Sequence, residues 1–151
     1  MNFLPSYAVD FNDKSGSYSS KGEKDSLLKF DFIERKIHPS YFSIRTWNNS
    51  KGHSHLQNWV IEGSNTNKEN DWVILDSRNN NVLLDDYNDE NTFRINNTNL
   101  NSGEFYRYLR IRQTGPNSHG TNQIVINAIE FSMKAFKHDF FFQSKYECSI
   151  N

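Results

Sequence analysis

One cysteine, Cys148, is all this 151-residue chain contains, so no disulfide can form within it. Charge of one sign is equally scarce. Seventeen basic residues face 18 acidic ones, well mixed, for a net charge of −1. Binding to a polyanion normally needs a basic excess or stripe, so nucleic acid is excluded as a partner. No apolar run approaches the roughly 18 residues that a membrane span needs. The start, MNFLPSYAVDFNDK, lacks a basic segment followed by an apolar one, so no secretory leader is expected. With a single thiol, this favours a cytoplasmic location; an extracellular one follows if a leader lies upstream of this chain. No 20–50-residue repeat is present, which excludes solenoids and propellers.

Aromatics and asparagine are plentiful. Hydrophobic residues make up only 35% and mean hydropathy is −0.82, yet there are 12 Phe, 7 Tyr and 3 Trp. A thin core between two sheets can be filled by a few large rings, and a chain of this length buries one core and little more. Asparagine numbers 21, in runs such as Asn79-Asn80-Asn81. It tolerates left-handed backbone and caps turns, so long Asn-rich loops are expected; a biased genome would produce the same excess. Two glycosylation sequons, Asn48-Asn49-Ser50 and Asn96-Asn97-Thr98, fall in such Asn-rich stretches and arise there by chance.

Period-two patterning predicts seven strands: Leu27–Ile33, Ser40–Trp47, Gln57–Ser64, Asp71–Ser77, Thr92–Asn96, Phe105–Gln113 and Gln123–Met133. In the first, Leu28, Phe30 and Phe32 alternate with Leu27, Lys29 and Asp31. In the sixth, Arg107, Leu109 and Ile111 alternate with Tyr108, Arg110 and Arg112. The breaks carry turn chemistry, as at Ile37-His38-Pro39, Asn49-Ser50-Lys51-Gly52, Gly63-Ser64-Asn65 and Thr114-Gly115-Pro116-Asn117. Strand, turn, strand with no helical period points to an all-β, two-sheet antiparallel sandwich.

Catalytic constellations are missing. Ser118-His119 has no nucleophile elbow around it, and no Gly-rich phosphate loop or dinucleotide fingerprint occurs. His53 and His55 would share a face on a strand and could bind metal, but no Cys or carboxylate stands at ligand spacing, so a polar loop is the expected role. Asp85-Asp86 with Asp89-Glu90 lacks the alternating ligands and turn glycine of a calcium loop and reads as a solvated loop. No cofactor is expected; a structural calcium ion has no motif behind it. A non-enzyme is the expectation.

The segments HLQNWVIEGSN (His55–Asn65), Asp71–Leu75, FYRYLRIRQTG (Phe105–Gly115) and Ala128–Phe131 resemble, in order and wording, the coagulation factor 5/8 type C (discoidin) domain of the galactose-binding-domain-like superfamily. The likeness spans Val9–Met133 and is nearest to versions attached to intracellular adaptors. It implies a jelly roll over residues 1–134, with Asn2–Tyr7 as a shortened first strand or the first strand missing. The aromatic-rich tail 135–151 then packs over the exposed sheet edge, docks on a partner, or is a poor gene-model ending. Many secreted relatives clamp their termini with a disulfide; this chain cannot. The family binds rather than catalyses, which implies a protein-interaction module, with a carbohydrate-binding module as the alternative and a structural spacer as a third reading. A protein partner or a glycan, bound by a monomeric domain or a part of a larger chain, is the corresponding expectation.

In jelly rolls of this kind the ligand site lies in loops at one end. That implies a site on loops 47–55 and 113–122, with Arg45, Trp47, His53, His55, Arg112, Asn117 and His119 as candidates. Sugar-binding relatives combine an Arg, a His and an aromatic, and Arg45, His53 and Trp47 supply those types. For Arg110 and Arg112, pairing with an acid on a neighbouring strand is the competing reading. Trp47 reads either as a plug for the sandwich end or as a platform for a sugar ring. Trp59 and Trp72 read as packing residues. The acidic 85–90 loop is expected to lie apart from the site.

Overall fold

The computed structural model describes residues 11–12, 14–47, 50–96, 104–132 and 147–149. Among these, the strands are β1 (Tyr18–Ser19), β2 (Leu27–Asp31), β3 (Tyr41–Arg45), β4 (Trp59–Ser64) and β5 (Val73–Arg78), then β6 (Glu90–Arg94), β7 (Tyr108–Gln113), β8 (Val125–Ile126), β9 (Ala128–Ser132) and β10 (Glu147–Ser149). A single 3-10 turn, Glu69–Asp71, precedes β5. The strands form a five-stranded sheet ordered β10-β2-β7-β4-β5, a three-stranded sheet ordered β6-β3-β9 and a β1-β8 ribbon. Every pairing is antiparallel. All seven predicted strands are present, with ends displaced by a few residues.

Local chemistry sets those ends. β2 stops where Ile33 takes φ 58, a conformation a β-branched residue adopts only under constraint; the Asp31 carboxylate accepts its N–H at 2.8 Å. The last predicted strand divides at Asn127. Its side chain accepts from Arg45 Nε at 2.6 Å and donates to the Gly16 carbonyl, which pulls it out of the ladder. The expected first strand, Asn2–Tyr7, lies outside the described residues. Of the tail, Glu147–Ser149 pairs along the outer edge of β2.

Rings fill the space between the sheets. Phe30 of β2 meets Phe131 of β9 edge-on at 5.4 Å, and Trp59 of β4 meets Phe93 of β6 at 5.5 Å. Leu28, Ile44, Ile61, Leu109, Ile111 and Ile129 pack around them, all buried. The predicted alternation holds: Leu28, Phe30, Leu109 and Ile111 face inward. Trp59 is fully buried, as its strand position implies. Trp72 differs from the expected core role. It precedes β5, is half-buried, and its ring carries the Arg110 guanidinium at 4.1 Å.

β4 is buried on both faces. On its outer side Glu62 accepts from Arg110 at 2.6 Å and from Arg112 at 2.9 and 3.0 Å. Burial pushes the Glu62 carboxyl up, but the Arg112 and Arg110 hydrogen bonds outweigh it and hold it below its ordinary value. One glycine matters here. A Cβ on Gly63 would stand 2.7 Å from the Tyr106 ring, so only glycine lets β4 pass beneath it.

Candidate functional site

Chain direction puts three loops at one end of the sandwich: 46–58 between β3 and β4, 79–89 between β5 and β6, and 114–124 between β7 and β8. Backbone groups stitch them together. His55 N–H donates to Ser118 Oγ, and Ser118 N–H returns to the His55 carbonyl, both at 2.9 Å. Thr114 N–H donates to the Asn58 carbonyl at 3.1 Å. Asn58 then bridges all three loops, donating to the Pro116 carbonyl at 2.8 Å and accepting from Asn80 N–H at 2.9 Å.

Above these anchors the His53 and His119 rings stack, 5.3 Å between centroids and 20° from parallel. Both residues are exposed, and Trp47, at the start of the 46–58 loop, is half-buried. Loops 47–55 and 113–122 therefore do lie side by side. The stacked imidazoles sit on the exposed side of the two clasped loops. Ser54, between the two histidines, takes φ 58, which turns the chain sharply there.

The other candidates are placed differently. Arg45 is 3% exposed. Its Nε donates to Asn127 and its NH2 group donates to the Phe11 carbonyl, each at 2.6 Å, with Glu90 3.6 Å away. His55 is 2% exposed, and its Nε2 donates to the Ser50 carbonyl at 3.0 Å. Asn117, also buried, holds its own loop. Its Oδ1 accepts from His119 and Thr121 N–H, and its Nδ2 donates to Thr121 Oγ1 and the Gln123 carbonyl. Arg112 lies on the outer face of the five-stranded sheet, bound to Glu62 and, at 3.2 Å, to Asp25. The competing reading of cross-strand ion pairs describes both Arg110 and Arg112. Of the seven candidates, the structure brings His53 and His119 together at the surface, leaves Trp47 half-buried, and engages Arg45, His55, Asn117 and Arg112 with the protein's own groups.

The acidic loop is not remote. Thr46 N–H donates to the Asp89 carbonyl at 2.8 Å, Thr46 Oγ1 to the Asp86 carbonyl at 2.7 Å, and Gly52 N–H to the Asp85 carbonyl at 3.3 Å. Its tip presents Tyr87, 55% exposed. Neither Tyr87 nor Asn58 stands out in the sequence. The one signal was an aromatic between turn-formers, Asp86-Tyr87-Asn88. Among the described residues no group of three or more His, Cys, Asp or Glu is placed to hold a metal ion.

Solved structures share this architecture. The CBM32 domain of AlyQ, in complex with 4,5-unsaturated mannuronic acid, superposes with a TM-score of 0.63 at 17% identity, covering 89% of each chain. CBM32-3 of a family 31 glycoside hydrolase from Clostridium perfringens gives 0.65 at 17% identity, over 87% of this chain and 83% of that one. CpGH89CBM32-5 from the same organism, in complex with GalNAc-beta-1,3-galactose, gives 0.61 at 11% identity, over 85% and 82%. The chain has the discoidin, galactose-binding-like fold. No family model matches it, and no curated protein does. These structural neighbours are carbohydrate-binding modules.

Proposed function

We propose that this chain is a non-catalytic carbohydrate-binding module whose recognition surface is the loop end bearing Trp47, His53 and His119. One observation carries the reading. Two loops far apart in sequence are clasped by hydrogen bonds so that two exposed imidazoles stack across them, with a half-buried tryptophan at the start of one loop. Flat rings with polar edges suit a sugar, whose C–H faces pack on a ring while its hydroxyls need donors and acceptors at the rim. The support beneath is rigid, so little ordering cost falls on binding. Similarity to solved domains whose names include bound sugars supports the reading. A glycan-binding role goes with work outside the cytoplasm, the second of the two locations considered from sequence.

The test is a glycan array followed by calorimetry on the hits, with Trp47→Ala/His119→Ala as the variant. Loss of at least one hot-spot ring should weaken binding by about 2 kcal/mol, roughly thirtyfold. Full affinity in the folded variant would place the site elsewhere. Capture of a protein by this surface, with no glycan bound, would return the chain to the protein-interaction class.

A further inference from the structure

Resting on the carbohydrate reading, we infer that the recognition surface continues onto the 79–89 loop, with Tyr87 as a further ligand-contacting ring, and that its ligand is a saccharide without carboxylates. The loop is fastened to the Trp47–His55 loop through Thr46 and Gly52, as described. Its tip is preformed. Asp89 Oδ2 accepts the Asp86 N–H at 2.8 Å, Asp86 Oδ1 accepts the Tyr87 N–H at 2.7 Å, and Asn88 takes φ 50. That geometry lifts Tyr87 into solvent on a fixed turn, with Val82 and Leu83 also exposed on the same loop. A large exposed ring on a hydrogen-bonded tip, in a loop fastened to the one that bears His53, has the character of a binding contact.

Charge then narrows the ligand. Loops 46–58, 79–89 and 114–124 carry one lysine, Lys51, and three carboxylates, Asp85, Asp86 and Asp89, a net of 1 − 3 = −2 with histidine neutral; Glu90, at the start of β6, lies 3.6 Å from Arg45. The flanking guanidiniums are already engaged by the protein. Arg45 is bound to Asn127 and the Phe11 carbonyl, Arg112 to Glu62, and Arg78 to both oxygens of Asp76 at 2.7 and 3.1 Å. The Asp85 carboxylate has no hydrogen-bond partner among the described residues. Sugar hydroxyls donate well to such carboxylates, and a sugar amine would pair with them. A uronate would bring its own negative charge against them, a juxtaposition that costs affinity and is screened by salt.

Three probes decide it by calorimetry at low salt: a neutral galactobiose, a deacetylated chito-oligosaccharide and an oligogalacturonate. Neutral or amine-bearing sugar should bind at least about tenfold more tightly than the uronate, with the gap shrinking as salt rises past the Debye screening range. Asp85→Asn, which keeps the shape, should narrow the gap. Tyr87→Ala should weaken whichever sugars bind by about tenfold or more, as for an aromatic hot spot. Uronate binding as tight as neutral sugar, or an unchanged affinity in Tyr87→Ala, overturns this inference and leaves the carbohydrate reading standing. An array without any glycan hit overturns both.

Discussion

The two ends of the sandwich treat their loop polar groups in opposite ways. At the β4–β5 end, one side chain takes up nearly everything within reach. Asp71 Oδ2 accepts from Ser64 Oγ at 2.7 Å, Thr66 Oγ1 and N–H at 2.9 Å, and Asn65 N–H at 3.0 Å. At the other end the bonds run from loop to loop, through backbone groups and the side chains of Asn58, Ser118 and Thr46, while the His53, His119 and Tyr87 residues are exposed. A turn closed around one carboxylate has little left to offer a ligand; loops tied to one another present exposed rings beyond their ties. The position of the rings, more than their number, is what the proposed site rests on.

The shared core is where the largest effect is expected. Trp59→Ala empties the space against Phe93 and should cost roughly 3–5 kcal/mol, enough to unfold a marginal domain and remove both ends together. Thermal melting checks this; an unchanged Tm would mean that the β4 ring is not the keystone described. Removing Glu62 comes next. Glu62→Ala leaves the 7% exposed Arg110 side chain with only the exposed Glu69 at 3.5 Å as an acidic partner, and breaking a buried pair in this way typically costs about 3–5 kcal/mol. Urea unfolding should show that loss, with less in Glu62→Gln, which keeps acceptor and shape.

Smaller effects separate the ends. Asp71→Asn should speed amide exchange of residues 64–72 and leave sugar affinity untouched; a fall in affinity would show that the ends are coupled. The same carboxylate gives a pH signature. The hydroxyls of Ser64 and Thr66, then the backbone N–H groups, lower its pKa from 3.8 to about 2. A lowered folded-state pKa contributes stability above 3.8 that is lost as pH falls through about 2, so this turn should loosen across that acid window. Resonances of Asn65 and Thr66 should move there, while those of Trp47 should not report the same midpoint.

Strand placement was legible because alternation in stretches such as Leu27–Asp31 and Tyr108–Gln113 reflects one buried face directly. β1 and β10 were not foreseen, since two or three residues are too short to show a period. The loop partnership of 47–55 with 113–122 followed from the resemblance. The fate of the arginines did not: nothing local to Arg45 or Arg112 tells that Asn127, 82 residues away, or Glu62, 50 residues away, will take the guanidinium. Tyr87 was missed because its loop reads as acidic and solvated, and its attachment runs through backbone carbonyls that carry no residue-type signal.

The central claim is that the end bearing loops 46–58, 79–89 and 114–124, and not the Asp71 end, holds the sugar. A chemical-shift titration of the isotope-labelled chain with a glycan identified on the array tests it most directly. Shifts should gather on Trp47, Ser50–His55, Asp85–Asp89 and Ser118–Gly120, with residues 64–72 silent. Shifts concentrated on 64–72, or on the outer face around Arg110 and Trp72 with the Trp47 indole unmoved, would contradict it.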